Sequence, residues 1–66
     1  MFDEEINLYM SGLINTTDLD HTERTRLFRG MMQKLLGKTN DQITEKLLYG
    51  VYQDTLKELG HEQKIN

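Results

Sequence analysis

The chain has 66 residues, a net charge of −3 and no cysteine, and these properties exclude several classes of protein. A chain of this length forms at most one domain and buries only about 60% of the surface that its unfolded form exposes. Without cysteine it has neither disulfides nor thiolate metal ligands, so oligomerisation is the means left to reinforce a small core. The acidic first residues and the lack of a long apolar run predict a cytoplasmic protein without a signal peptide or membrane span.

Apolar residues recur at helical spacing in three segments, which predict helices over residues 3–14, 22–36 and 41–59. The short connection between the second and third helices is typical of antiparallel neighbours. The predicted fold is therefore an all-α, three-helix unit that ends in an antiparallel helical hairpin. It forms a single domain over residues 1–60, and residues 61–66 are expected to be a flexible polar tail.

The residues between these segments are suited to begin and end helices. Asp20 or Thr22 is expected to cap the second helix, and Thr39 or Asn40 is expected to cap the third. Gly37 follows the second helix, where a residue without a Cβ readily takes the left-handed conformation that ends a helix. These positions set the predicted boundaries.

The third helix carries more apolar surface than one neighbour can cover. At about 100° per residue its apolar sector spans about 240°, whereas a surface helix needs little more than 100°. The pattern predicts that a second copy covers the excess, most simply as a symmetric helical homodimer. An alternative is that the two tyrosines pack their rings and keep their hydroxyls in water. The predicted dimer interface consists of Leu48, Tyr49, Tyr52, Leu56 and Leu59.

Each predicted helix contains an internal glycine: Gly12, Gly30 or Gly50. A glycine inside a helix costs about 1 kcal/mol of stability relative to alanine. Two interpretations stay open for these positions. The glycine either permits the close approach of another backbone or is a tolerated weak point.

Charge is segregated along the chain. Residues 1–23 carry six acids and no Lys or Arg, and residues 24–38 carry five bases and no acid. One interpretation is that the acidic segment lies beside the basic helix, in the same chain or in a partner chain. Another is a partner-binding face made by Arg26, Arg29 and Gln33, which share a stripe opposite the apolar one and suit an anionic partner.

A third interpretation of the basic helix is nucleic-acid binding, because two helices joined by a turn resemble a helix-turn-helix. The third helix, which would be the recognition helix, is apolar around most of its circumference and carries several acids. The sequence pI of about 5.2 is also far from a basic footprint. If DNA is bound, Arg26 and Arg29 are the expected contacts.

The residues show no motif for catalysis or for binding a metal or cofactor. The glycines are too scattered for a phosphate loop, and no paired carboxylates lie along an apolar wall. His21 and His61 are isolated, and Ser11 has no histidine near it in sequence. The sequence therefore predicts no enzymatic activity and no cofactor.

These features together predict a small non-enzymatic regulator that binds a larger protein as an adaptor, inhibitor or anti-repressor. Cytoplasmic regulators of this kind occur in bacteria, phages and other mobile elements. Two alternatives are a small DNA-binding transcriptional regulator and a structural assembly subunit.

Overall fold

The structure is a computed structural model that describes residues 3–60. Within that range the regular structure is helical, without a strand, so the predicted all-α fold of three helices is confirmed. None of the described helices has the length and apolar character needed to cross a bilayer. The predicted polar tail, residues 61–66, lies outside the described range. In chain order the elements are α1 (Glu4–Asn15), α2 (His21–Leu35), a 3₁₀ turn (Asn40–Gln42) and α3 (Glu45–Glu58).

Aspartate side chains begin the first two helices. Oδ1 of Asp3 accepts a hydrogen bond from the backbone N–H of Ile6 at 3.0 Å. Oδ1 of Asp20 accepts one from the backbone N–H of Glu23 at 2.9 Å, so Asp20 is the cap and Thr22 lies inside α2. Each carboxylate satisfies a backbone donor that the helix leaves free and places negative charge at the positive end of the helix dipole.

The helix α3 starts later than the sequence predicted, because both expected caps belong to a different element. Thr39 and Asn40 begin the 3₁₀ turn, and the backbone N–H of Thr39 donates to Oε1 of Gln42 at 3.0 Å. The cap of α3 is Thr44, whose Oγ1 accepts a hydrogen bond from the backbone N–H of Leu47 at 3.1 Å. Four consecutive polar residues at 39–42 thus form a turn of their own and lie outside the long helix.

The core is built from one side of each helix. In α1 and α2 the buried residues recur every four positions, as the 3.6-residue period requires. Ile43 adds a buried side chain from the segment just before α3. The buried apolar residues are Ile6, Met10, Ile14, Leu27, Met31, Leu35, Ile43, Leu48, Val51, Tyr52 and Leu56.

A single copy of the chain covers much of the apolar sector of α3. Leu48, Tyr52 and Leu56 are each only 2% exposed, Leu59 is partly buried, and Tyr49 is 47% exposed. The expectation that a lone copy could not cover this helix is wrong, because α1 and α2 both pack against it. Three of the five residues assigned to the dimer interface are therefore interior residues in this fold. Pairing of two copies, as distinct from that interface, stays a prediction.

Two contacts relate α2 to α3. Gly30 faces the side chain of Thr55, and Nζ of Lys34 lies 2.8 Å from both carboxylate oxygens of Glu58. Residue numbers rise together along both helices in these contacts. In an antiparallel hairpin the residue numbers of one helix would rise while those of the other fall. The predicted hairpin arrangement is therefore not shown.

Candidate protein-binding surface

The apolar stripe of α2 is divided between the core and the outer surface. It consists of three pairs of adjacent residues, Leu27–Phe28, Met31–Met32 and Leu35–Leu36, of which Leu36 is the C-cap residue just after the helix. The first member of each pair is fully buried, whereas the second is at least partly exposed to solvent. Phe28 and Met32 are half-buried, and Leu36 is 72% exposed. We name these three residues the α2 strip.

The α2 strip separates two grooves. The larger has a volume of about 660 Å³ and lies toward α1 and the loop after α2, where Asn7, Lys38 and Asn40 line it. The smaller, of about 320 Å³, lies on the other side of the strip and is bordered by Thr25, Arg29 and Gln33. All three residues of the strip line both grooves. An apolar ridge between two shallow grooves is a shape onto which a partner helix can pack.

The structure places two of the three predicted partner-binding residues beside this strip. Arg29 and Gln33 border the smaller groove. Arg26 lines neither groove, and its Nη1 lies 3.3 Å from Oε1 of Glu23, one turn earlier in the same helix. The stripe predicted from the sequence is therefore split, with Arg29 and Gln33 at the apolar surface and Arg26 away from it.

Cations surround the α2 strip. Lys38 lines the larger groove, Arg29 the smaller one, and Arg24 a shallow groove that also includes Phe28. None of these three cations forms an ion pair with another residue in the range 3–60. Lys34, by contrast, is paired with Glu58. The surface around the strip therefore combines apolar side chains with unpaired positive charge.

No protein-family model, curated protein or solved structure matches this chain. The role of the surface therefore has to be argued from its own residues and charges.

The fold brings Ser11 and His21, which are distant in sequence, to the same groove. Both line a shallow groove of about 330 Å³ between α1 and α2. Within residues 3–60 no hydrogen bond joins the two side chains. Among residues 3–60 there is also no group of three or more His, Asp or Glu side chains able to hold a metal ion.

Sequence reasoning missed the α2 strip as a surface feature, although the sequence carries a signal for it. Adjacent residues differ by about 100° around a helix, so three consecutive apolar pairs make a stripe about twice as wide as a single row. A small domain can place only part of such a stripe in its core. The paired apolar residues of α2 were thus a stronger indication of excess apolar surface than the wide apolar sector of α3.

Proposed function

We propose that this protein is a small non-enzymatic regulator that binds a larger protein through the α2 strip and the cations around it. The observation that carries the proposal is an apolar row along α2 and its C-cap that residues 3–60 cover only in part, ending in Leu36 at 72% exposure. Full burial of one such side chain stabilises a complex by about 1.5–3 kcal/mol. Burial of the strip by a partner is therefore a substantial source of binding free energy.

The chemistry of the surface indicates what kind of partner segment fits it. The strip runs along about two helical turns and offers anchors at positions i, i+4 and i+8. Arg24, Arg29 and Lys38, which form no ion pair within residues 3–60, favour carboxylates on the partner. An acidic amphipathic segment of a larger protein matches both properties. By binding such a segment, the chain would act as an adaptor, an inhibitor or an anti-repressor.

DNA binding through the same helix has less support. A phosphate backbone would leave the three apolar side chains of the strip without a matching surface. Arg26, one of the two expected DNA contacts, is already hydrogen-bonded to Glu23. The negative net charge also opposes non-specific attraction to nucleic acid.

Site-specific photocrosslinking in a lysate of the native host tests the proposal. A photoreactive phenylalanine analogue is placed at Leu36 in one variant and at Tyr49 in another. Both positions are exposed large apolar residues, but only Leu36 lies on the strip. We expect a specific covalent product from position 36, with a mass greater than that of two copies of this chain, that is missing from position 49. Identical products from both positions, or none from position 36, would contradict the proposed docking surface.

Charge reversal at Arg29 provides a second arm of the same experiment. Arg29→Glu, combined with the photoreactive group at position 36, is expected to reduce the covalent product. Lys46→Glu reverses a charge on α3, away from the strip, and serves as the matched control. A retained helical circular-dichroism signal shows that each variant is folded. Equal loss of product in both variants would indicate a general charge effect and contradict a specific role for Arg29.

A further inference from the structure

The outward side of α1 carries a second exposed stripe, which complements the α2 strip. Glu4, Leu8, Ser11 and Asn15 recur at positions i, i+4, i+7 and i+11 and are all exposed. Leu8 is 63% exposed, which makes it the main uncovered apolar side chain of this helix. We name these four residues the α1 stripe. It combines one apolar anchor with a carboxylate one turn before it.

The C-terminal half of the α1 stripe borders the α2 strip. Asn7, next to Leu8, lines the larger groove together with the strip. Ser11 and Asn15 line the shallow groove that contains Phe28. The two helices therefore form one outer face with a groove between them. This face is acidic on α1, which has Glu4 and Glu5 but no base, and basic on α2.

We propose that two copies of the chain pair through this outer face, with the α1 stripe of each copy lying on the α2 strip of the other. The opposite arrangement, α2 on α2, would bring Arg24, Arg29 and Lys38 of one copy toward the same three cations of the other, and such like charges repel. Laying α1 on α2 instead brings Glu4 and Leu8 of one copy to Arg29 and the strip of the other. The contact is made twice about a two-fold axis, so the pair closes and does not extend into a fibre.

This pairing answers the stability problem of a small chain. A 66-residue domain has few kcal/mol to spare, and oligomerisation is a common reinforcement. Pairing also covers Leu8 and Leu36, two of the most exposed large apolar side chains. A further consequence rests on the proposed function: the pair hides the α2 strip, so self-association and binding of a larger protein exclude each other.

Sedimentation of the purified chain at micromolar to millimolar concentrations tests the pairing. We expect a reversible species of twice the 7.8 kDa mass of one chain. Leu8→Glu and Leu36→Glu should each shift the protein to a monomer, because they bury a carboxylate in an apolar contact. Tyr49→Glu changes an exposed large residue on α3 and should leave the pair intact. All three positions are exposed, so the helical signal should persist.

A charge exchange between copies tests which helix lies on which. Glu4→Lys alone and Arg29→Glu alone should each weaken pairing by about tenfold or more at low salt, since each contact occurs twice. An equimolar mixture of the two variants should form a mixed dimer, because both reciprocal contacts then join opposite charges. Restored pairing in the mixture supports α1 on α2. A Glu4→Lys variant that pairs as tightly as the unchanged protein overturns this arrangement.

The remaining outcomes also decide the matter. A single 7.8 kDa species throughout the concentration range overturns the pairing. A dimer that Tyr49→Glu dissociates and Leu8→Glu does not overturns it as well, in favour of an α3 interface. A monomer that still gives a specific crosslink from position 36 in the host lysate overturns the pairing and leaves the proposed function standing. A dimer that responds to these variants as expected, without a host crosslink from position 36, supports the pairing and overturns the proposed function.

Discussion

Gly30 of α2 lies directly against Thr55 of α3. A Cβ atom added to Gly30 would lie only 2.7 Å from Cγ2 of Thr55, closer than nonbonded carbon atoms approach. Thr55 is buried, and its Oγ1 donates a hydrogen bond to the carbonyl oxygen of Val51 at 2.7 Å. The methyl group cannot rotate away without moving this hydroxyl from its acceptor. The close contact between the two helices therefore depends on the absence of a side chain at position 30.

Gly30→Ala is expected to destabilise the protein by about 1 kcal/mol. Overpacking a tight contact costs about 1–3 kcal/mol, and the higher helix propensity of alanine offsets about 1 kcal/mol of that. Gly50→Ala is the matched control, because nothing lies within 4 Å of its added Cβ. It should stabilise the protein by up to about 1 kcal/mol. Urea unfolding followed by circular dichroism measures both changes.

Thr55→Ser should rescue Gly30→Ala. Serine keeps the hydroxyl that bonds to Val51 and removes the methyl group that the new Cβ would meet. In a double-mutant cycle the two changes should therefore be less destabilising together than the sum of the separate effects. Additive effects, or a stabilising Gly30→Ala, would mean that the helices do not approach closely at this point.

The different roles of these glycines illustrate a limit of sequence reasoning. From the sequence, a close approach and a tolerated weak point were equally acceptable for Gly12, Gly30 and Gly50. The structure distinguishes them, because only Gly30 meets a neighbouring side chain and the other two face open space. Which residue lies across a helix contact depends on how distant segments pack. Local periodicity carries no information about that.

Leu56→Ala should cost about 2–5 kcal/mol, because it opens a cavity in the core of a single copy. A domain this small has only a few kcal/mol of stability, so most of the helical signal should be lost. Tyr49→Ala, on the exposed side of the same helix, should cost less than about 1 kcal/mol. Circular dichroism at several protein concentrations measures both changes. A loss for Leu56→Ala only at concentrations where the chain pairs would place Leu56 at an interface between copies.

Periodicity located the three helices because it is a local property of the sequence. It could not show how α3 is covered, because that depends on α1 and α2 both packing on the same helix. The width of an apolar sector gives the amount of cover that a helix needs. It does not show whether that cover comes from the same chain, and Tyr52, at 2% exposure, is covered within one copy.

Thr44→Ala should destabilise the protein by about 1 kcal/mol through loss of the α3 cap. Asn40→Ala is the control, because this residue was an expected cap and its exposed side chain makes no hydrogen bond within residues 3–60. It should change the free energy of unfolding by less than about 0.5 kcal/mol. Thermal unfolding of the two variants compares the positions. Equal effects would contradict the assignment of Thr44 as the cap.

The candidate surface was only partly predictable for a related reason. Charge segregation pointed to α2 as a binding surface, which stays a prediction, and Arg29 and Gln33 border a groove beside apolar residues. Helical periodicity places the apolar residues of 27–36 on one stripe but does not show which of them face the core. The orientation of α2 about its own axis, which α1 and α3 set by packing, decides which half is buried.

Leu35 and Leu36 give a direct test of that orientation, because they are adjacent in sequence and differ completely in exposure. Leu35 is fully buried, whereas Leu36 is 72% exposed. Leu35→Ala should cost about 2–5 kcal/mol. Leu36→Ala should change the free energy of unfolding by less than about 0.5 kcal/mol when measured at concentrations where the chain is monomeric. Urea unfolding at low protein concentration gives both values. Comparable losses at the two positions would show that the whole stripe is buried, which would remove the α2 strip as a surface for any partner.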